Sequence, residues 1–453
     1  MSLTLARAFR MEPSSCVAFI GAGGKTTAIF KLARELQSRV IVTATTHLGA
    51  WQIQFADRHI STEADSLEES EDGFQGVLLI TGKPEGDRVK PINDELLIWL
   101  HHYCKSHSIP LLIEADGSRQ KPLKAWADHE PPIPEFADIV VHAAGLMGLG
   151  KPLTDEFVHR ADAYSKFSRL ENEEAISSNA IVRVLTHPEG GLRKIPKNAR
   201  RIVMLNQADT PELQSTAHTM TQSLLSDYQS VVVASLANEK LYAVHEPIAG
   251  IILAAGKSAR FGEPKQLLGW KGQPFVRAVA QTALHAGLSP VIVVTGANSE
   301  QVEAVISDLD LIIARNGNWR SGQGSSIREG ILALTQPPSS RSDASPKFNG
   351  VGGVVFLLAD QPQVSAAVIH ALKEKHAEEL HPIVAPMVSE RRGNPILFDH
   401  VTFPDLMDIK GDTGGRAVFY IHRVEYLPWH DDSLLLDVDT PEQYQRLISN
   451  GDL

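Results

Sequence analysis

The sequence predicts an α/β protein with two domains, each a mostly parallel sheet flanked by helices. The chain has 453 residues, more than a single hydrophobic core normally serves. Short apolar runs that do not alternate, such as CVAFI and GIILAA, are typical of strands buried on both faces. Helical patterns such as TTAIFKLARELQ and PFVRAVAQTALHAG follow these runs, which indicates right-handed strand-helix-strand units.

The boundary between the two predicted domains lies near residue 245. One alternating series ends in VVVASLANEKLYAVHEP, and a new strand begins at Ile248, directly after Pro247. We therefore assign residues 1–245 to an N-terminal domain and residues 246–453 to a C-terminal domain. A Ser/Pro-rich segment from Thr335 to Gly350 is predicted to be a mobile surface loop.

Composition restricts the classes of function. The formal net charge is -11, and no long Lys/Arg run is present, so nucleic acid is not an expected partner. The two cysteines lack metal-ligand spacing, which fits a reducing compartment. No segment approaches the ~18 apolar residues of a membrane span, and no signal peptide is recognisable. We expect a soluble, cytoplasmic protein without a membrane partner.

The strongest motif of the C-terminal half is LAAGKSARFGEPK, which follows the strand GIILAA. Small residues at a strand end, here Ala254, Ala255 and Gly256, allow the backbone to approach a nucleotide and direct N–H groups at phosphate oxygens. Arg260 offers a planar fork that matches phosphate, and Lys265 supplies a compact positive charge. These five residues are predicted to bind the nucleotide, and the two cations are predicted to be catalytic.

A second motif, VVFLLADQP, places Asp360 at the carboxyl end of a buried strand. Open α/β sheets bind ligands at that edge, and a carboxylate beside phosphates suits Mg²⁺. Asp360 is therefore predicted to be a catalytic metal ligand. Asp439 is a second candidate ligand, although Asp439-Thr440-Pro441-Glu442 would equally serve as a helix start with Asp439 as N-cap.

Between these motifs lies the segment NWRSGQGSSIREG. Gly322, Gly324 and Ser325 are predicted to bind the nucleotide, because a permissive loop followed by a helix N-terminus can hold an anion. A structural alternative is a capping box formed by Ser326 and Glu329.

This half resembles the MobA-like nucleotidyltransferases, and within them the molybdenum cofactor cytidylyltransferases. The resemblance covers about residues 248–447 through LAAGKSARFGEPK, GQGSS, LADQP, GDTGGR and DVDTPEQ. It implies a Rossmann-like nucleotidyltransferase that moves CMP from CTP to the molybdopterin cofactor with magnesium at Asp360. Gly393-Asn394-Pro395 departs from the family's Gly-His-Pro, so the contacts of that histidine do not carry over. A sugar phosphate remains an alternative acceptor.

The chemistry of such a transfer agrees with these residue types. The terminal phosphate of the implied acceptor is already ionised, so it can attack the α-phosphate without a general base. Positioning and charge neutralisation are then sufficient for catalysis.

The N-terminal half contains a glycine-rich turn between a strand and a helix, CVAFIGAGGKTTAIF. Such a turn surrounds phosphates with backbone N–H groups and adds a lysine charge and a hydroxyl for magnesium. Its first glycine is replaced by Phe19, so an atypical P-loop is predicted. The predicted nucleotide-binding residues are Gly21, Gly23, Gly24, Lys25, Thr26 and Thr27.

Two further segments support a nucleotide site in this half. LLIEADGS ends a strand at Glu114 and Asp116, and we predict that Asp116 binds the metal. RIVMLNQAD contains Asn206 and Asp209, which resemble the base-reading N-K-x-D motif of GTPases. An N-cap role for Asp209 is an equally good interpretation.

The N-terminal half as a whole resembles the selenium-dependent hydroxylase accessory family of the YqeC type, through GAGGKTT, TATTH, EADGSRQKPLK, HEPPIP, GLMGLGKPL and VHR. The resemblance implies a role in the maturation of molybdenum hydroxylases, with an apo-hydroxylase as a partner. One alternative is a binding module in which NTP acts as a switch for cofactor insertion.

Overall fold

The computed structural model describes residues 3–61, 75–257, 261–335 and 350–451. These residues form two compact units, Met1–His245 and Glu246–Leu453. Most of the Ser/Pro-rich segment that was predicted to be a mobile loop lies outside the described residues. Among the helices that the structure describes, none has both the length and the apolar character that crossing a membrane requires.

The N-terminal unit alternates strands with helices. Its helices are α1 (Leu5–Ala8), α2 (Lys25–Glu35), α3 (Asp94–His107), α4 (Ala161–Ser168), α5 (Ser178–Thr186) and α6 (Pro211–Leu224). Its strands are β1 (Cys16–Gly21), β2 (Val40–Ala44), β3 (Leu48–Gly49), β4 (Arg58–Ser61), β5 (Val77–Thr81), β6 (Pro84–Glu85), β7 (Arg88–Val89), β8 (Leu111–Glu114), β9 (Leu123–Lys124), β10 (Ile139–Gly145), β11 (Val158–His159), β12 (Arg200–Asn206), β13 (Ser230–Ser235) and β14 (Lys240–His245).

The main sheet of this unit has nine strands in the order β14-β13-β12-β10-β1-β8-β2-β5-β4. All neighbours are parallel except β13 and β14, which are antiparallel at one edge. Strand β1 lies between β8 and β10. The strand that follows β1 in the chain, β2, lies on the β8 side, whereas β10, β12 and β13 lie on the other side, so the strand order changes direction at β1. Ligands bind at this kind of position in open α/β sheets.

The C-terminal unit contains the remaining elements. Its helices are α7 (Phe275–His285), α8 (Ser299–Ala304), α9 (Gln323–Thr335), α10 (Ala366–Glu379), α11 (Phe403–Met407) and α12 (Pro441–Gly451). Its strands are β15 (Ile248–Ala254), β16 (Gly269–Trp270), β17 (Gln273–Pro274), β18 (Val291–Thr295), β19 (Ile312–Arg315), β20 (Gly353–Leu358), β21 (Ile383–Val388), β22 (Arg391–Arg392), β23 (Ile396–Asp399) and β24 (Val424–Pro428).

The sheet of the C-terminal unit is parallel in one half and mixed in the other. Strands β19, β18, β15 and β20 are parallel neighbours, β23, β21 and β22 continue the sheet antiparallel, and β24 pairs parallel with β21. Alternate residues of β15 enter different cores: Ile252 packs in one and Ile251 in the other. Burial on both faces explains the unbroken apolar runs. The predicted α/β class is confirmed.

Candidate active site

The first motif of the C-terminal unit lies at the carboxyl end of β15. Ala255 and Gly256 line a cavity of about 350 Å³. Ala254 is buried in the core instead, at 1% exposure. The amide of Gln266 fixes this turn, since its Nε2 donates to the carbonyl oxygens of Ala254 at 3.3 Å and Gly256 at 2.8 Å. Gln266, which the sequence analysis did not predict as a site residue, thus fixes the backbone of this turn.

The second motif lies directly beside the first because β15 and β20 are neighbours. Leu253 pairs with Leu358 in the sheet, and the amide of Ala359 donates to the carbonyl of Leu253 at 3.2 Å. Two residues beyond this pair, Asp360 lines the same cavity as Ala255. The topology therefore brings together two motifs that are about one hundred residues apart in the chain.

Lys265 contacts both of the acidic residues that were predicted to bind the metal in this unit. Its Nζ lies 3.9 Å from Oδ2 of Asp360 and forms a close ion pair with Asp439. Burial raises the pKa of Asp360, Lys265 opposes this shift, and Asp437 and Asp439 add to it. Asp437, which the sequence analysis missed, accepts a hydrogen bond from Gln361 at 2.8 Å.

The two cations predicted to be catalytic stand differently in the structure. Lys265 lines the cavity, whereas Arg260 lies outside the described residues.

The predicted N-cap role of Asp439 is wrong, because Thr440 is the N-cap of α12: its Oγ1 accepts from the amide of Gln443 at 3.4 Å. Oε1 of Gln443 in turn accepts from the amide of Thr440 at 2.9 Å.

The start of α9 contributes a different serine to the cavity from the predicted one. Gly322 lines the cavity with Ser326. Ser325 instead donates to the carbonyl of Gly322 at 2.8 Å and lines a separate cavity. Gly324 packs on the segment 409–411, where an added Cβ would lie 2.8 Å from the carbonyl oxygen of Ile409. Ser326 therefore replaces Ser325 and Gly324 as the residue that faces the candidate site.

The predicted capping box of Ser326 and Glu329 is also wrong, because of the position at which α9 begins. The helix begins at Gln323, so Ser326 lies inside its first turn and not at the N-cap. The amide of Gln323 donates to Oδ1 of Asp412 at 3.1 Å, and Asp412 lines the cavity too. Gly322 has a φ of 102°, and a Cβ there would lie 2.5 Å from the carbonyl oxygen of Gly411, so this turn requires glycine.

A second cavity of about 270 Å³ shares residues of the first, among them Gln323 and Asp412. Its floor is apolar, with Phe356 and Phe398, and Arg416 supplies a positive charge. Asn394, at the position where the sequence departs from the Gly-His-Pro pattern, lines this cavity as well. The C-terminal unit thus has space for two adjoining ligands at the carboxyl edge of its sheet.

In the N-terminal unit the glycine-rich turn connects β1 to α2. Gly21, Gly23 and Gly24 all have positive φ, at 90°, 78° and 123°. A Cβ on Gly23 would lie 2.4 Å from the backbone nitrogen of Gly145 in β10, so the loop is pressed against the neighbouring strand. Asn206 supports the loop from β12, because its Nδ2 donates to the carbonyl of Gly23 at 2.7 Å.

A buried group of charges lies below this loop. Asp116 is fully buried, and its carboxylate lies 3.1 Å from the ammonium groups of both Lys25 and Lys124. It also accepts from the amide of Gly21 at 3.0 Å and from the indole of Trp126 at 2.8 Å. Burial alone would raise the pKa of Asp116, but the two lysines hold it below its usual value.

Two ammonium groups already compensate this enclosed carboxylate, and Asp116 is not among the residues that line the cavity beside the loop, so its metal role stays a prediction. Glu114, two residues earlier, lines a cavity of the N-terminal unit beside the glycine-rich loop, together with Thr26 and Thr27. The hydroxyl of Thr26 donates to Glu114 at 3.3 Å. Burial raises the pKa of Glu114, Lys25 opposes the shift, and Asp116 adds to it. Of the two carboxylates at the end of β8, that of Glu114 is the one that lines the cavity beside the loop.

The two residues of the predicted base-reading motif, Asn206 and Asp209, lie in different environments. Asn206 is buried, at 4% exposure, and its Oδ1 accepts from the amide of Leu236 at 3.0 Å, so both ends of its amide are used within the fold. Asp209 is exposed and accepts from the hydroxyl of Ser235. The N-cap of α6 is Thr210, whose side chain accepts from the amide of Leu213, so the N-cap interpretation of Asp209 is wrong.

Two family models match the chain. The model described as YqeC protein matches residues 17–162, and the model described as MobA-like NTP transferase domain matches residues 250–428. The first range contains the glycine-rich turn and Glu114, and the second contains Lys265 and Asp360.

Individual relatives match one half of the chain or the other. The uncharacterized protein YqeC of Escherichia coli strain K12 is 31% identical over 199 residues, 42% of this chain and 75% of that protein. Nicotine blue oxidoreductase of Paenarthrobacter nicotinovorans is 32% identical over 44% of this chain and 96% of its own length. A probable molybdenum cofactor guanylyltransferase of Bacillus mycoides strain KBAB4 is 37% identical over 33% of this chain and 66% of its own length.

Proposed function

The N-terminal unit belongs to the YqeC family and the C-terminal unit to the MobA-like NTP transferase family, and on that premise we propose that this enzyme transfers CMP from CTP to the molybdopterin cofactor. Pyrophosphate is the second product. The observation that carries the proposal is that Lys265 and Asp360 line one cavity with the Ala255-Gly256 turn, while Lys265 also pairs with Asp439. A relative named for the molybdenum cofactor supports the choice of acceptor.

The donor set fits a magnesium ion. Asp360 and Asp439 both contact the ammonium of Lys265, and carboxylate oxygens are the hard donors that Mg²⁺ takes beside phosphates. We assign these two carboxylates as its ligands. The bound ion would supply charge neutralisation for the triphosphate and the leaving pyrophosphate.

The residues of this unit would act by position and charge. The open turn at Ala255 and Gly256 lets the α-phosphate approach the backbone, and Lys265 exchanges its carboxylate partners for phosphate oxygens. Arg260 is proposed as a second cation at the triphosphate. The acceptor would lie in the adjoining cavity, where the guanidinium of Arg416 can hold its phosphate.

For the N-terminal unit we propose NTP binding at residues 21–27, with the hydroxyl of Thr26 and the carboxylate of Glu114 holding magnesium. The supporting observation is their contact at 3.3 Å on the wall of the cavity. In this proposal the unit assists the maturation of a molybdenum hydroxylase, and an apo-hydroxylase is its partner.

The deciding experiment incubates the purified protein with magnesium, each of the four NTPs in turn and the molybdopterin cofactor, and measures pyrophosphate. Release with CTP alone is the expected result. Release with GTP alone would replace the cytidylyl assignment, and release only with a sugar phosphate as acceptor would overturn the choice of acceptor. A dye-reduction assay without NTP serves as the comparison for an oxidoreductase activity like that named for one relative.

A further inference from the structure

The cavity of the N-terminal unit is larger than a phosphate loop alone would need. It measures about 1040 Å³, against about 350 Å³ for the cavity of the C-terminal unit. Residues 23–27 form one part of its lining, and residues 117–121 and 159–160 form another. A cleft of this size is at the upper end of those that enclose small ligands, so it has room for a second molecule beside a nucleotide.

Positive charge is concentrated in this lining. Five cationic side chains line the cavity, against three acidic ones, in a chain whose net charge is -11. The cationic residues are Lys25, Arg88, Arg119, Lys121 and Arg160, and the acidic residues are Asp87, Glu114 and Glu130.

Lys25 is compensated by the buried Asp116, but the three acidic residues of the lining do not compensate the other four cations in full. Glu130 is shared by Arg160 and the buried Lys124. Nζ of Lys121 donates to the carbonyl oxygen of Glu156 at 2.9 Å, a neutral acceptor that does not cancel its charge.

The pKa of His159 is affected by cations of the same wall. Burial is the main cause that lowers its pKa to about 4, and the charges of Lys124, Arg160 and Arg119 contribute to the same shift. A histidine near these three cations stays neutral at pH 7, so an anion entering the cavity would meet the cationic groups and a neutral imidazole. The bound anion would in turn favour protonation of His159.

The backbone of the same wall is held in an uncommon conformation. Arg119, Gln120, Arg160 and Gln207 line the cavity and have positive φ, at 49°, 59°, 66° and 63°. This backbone conformation is strained for a residue that carries a Cβ. Conformations of this kind persist where the surrounding structure needs a side chain aimed in one direction, and binding sites are the usual place.

We propose that this cavity binds, beside the nucleotide, a second substrate that carries a phosphate monoester, with Arg119, Lys121 and Arg160 as its phosphate ligands. Arginine forks and a lysine ammonium are the groups that recognise phosphate in proteins. The inference rests on the proposed NTP site at residues 21–27, because the phosphate subsite is a second site only if this loop binds a nucleotide.

The test measures inorganic phosphate binding to the full chain by calorimetry, with magnesium and a saturating non-hydrolysable ATP or GTP analogue. Arg119→Gln should weaken phosphate binding about tenfold, the loss expected for one charged hydrogen bond. Arg169→Gln is the matched control, because Arg169 is also exposed and left-handed, with a φ of 62°, but lies outside this lining. Phosphate bound in the C-terminal unit contributes equally to both variants.

A second measurement follows the His159 resonances by NMR. Phosphate should raise the pKa of His159 in the wild type, and by less in Arg119→Gln. Equal phosphate affinity in Arg119→Gln and Arg169→Gln, with no shift at His159, would overturn the second subsite. Analogue binding that is unchanged by Thr26→Val would instead overturn the proposed NTP site, and the phosphate comparison, repeated without analogue, would still report on the arginine wall.

Discussion

Nζ of Lys265 lies 3.9 Å from Oδ2 of Asp360, at the edge of the sheet where β15 and β20 end. The same ammonium group contacts Asp439. Lys265 therefore compensates the two carboxylates that we assign to magnesium. A triphosphate with its metal would replace this compensation from both sides, since the ion takes the carboxylates and the phosphates take the ammonium.

The first prediction concerns Asp360→Asn, which should lower pyrophosphate release at least about a hundredfold, the scale of losing one group that stabilises transition-state charge. Stability should not fall. Burial raises the pKa of Asp360, so the folded state stabilises its ionised form less than the unfolded state does. The measurements are the pyrophosphate assay and the melting temperature.

Asp310→Asn is the control for that change, because Asp310 is an exposed acid of the same unit. Its activity should equal that of the wild type. An Asp360→Asn enzyme with full activity would remove Asp360 from the proposed metal site.

The second prediction concerns Glu114→Gln. This change keeps the size of the side chain but removes the carboxylate beside Thr26, so magnesium-dependent NTP binding to the N-terminal unit should weaken by at least tenfold. Fluorescent NTP analogues titrated with and without magnesium measure the effect. Glu135→Gln, at an exposed position of the same unit, should bind as the wild type does. Equal magnesium dependence in both variants would contradict the role of Glu114.

The third prediction compares two glycines with left-handed backbone. Gly23→Ala should lower the free energy of unfolding of the N-terminal unit by more than about 2 kcal/mol, since its Cβ would meet the backbone of β10 as well as adopt a strained φ. Gly86 has a φ of 61° with open space around it, so Gly86→Ala should cost only about 1 kcal/mol. Hydrogen exchange of the β10 and β12 amides measures both. Equal losses would mean that the loop can move away from β10.

The fourth prediction concerns acid stability. Burial lowers the pKa of His142 from 6.5 to about 4, so the folded state favours the neutral imidazole. The corresponding stabilisation is fully present above pH 6.5 and is lost as the pH falls towards 4, by about 3 kcal/mol in total.

His142→Gln removes this titration, so the stability of the variant should depend less on pH between 6.5 and 4 than that of the wild type. Urea unfolding at several pH values measures the difference, with His102→Gln as an exposed control. Parallel pH profiles for the wild type and His142→Gln would show that the histidine does not contribute.

Local pattern alone was enough for several conclusions. Unbroken apolar runs predicted strands such as β1 and β15, because a strand buried on both faces needs no polar residue. The position of Asp360 after such a run predicted that its carboxylate would lie at the ligand-binding edge. The resemblance of longer motifs, such as LAAGKSARFGEPK and GAGGKTT, also indicated the families to which the two units belong.

The tertiary structure decided which side chains face the cavities. Asp116 and Glu114 are two residues apart, yet Asp116 lies between two lysines while Glu114 lines the cavity. Lys124, which contributes to this difference, comes from β9, at the end of the EADGSRQKPLK segment. In the same way the start of α9 placed Ser326, and not Ser325, in the site. Sequence motifs determine which residue types are available near a strand end, but the direction and charge environment of each side chain depend on neighbours that are distant in the chain.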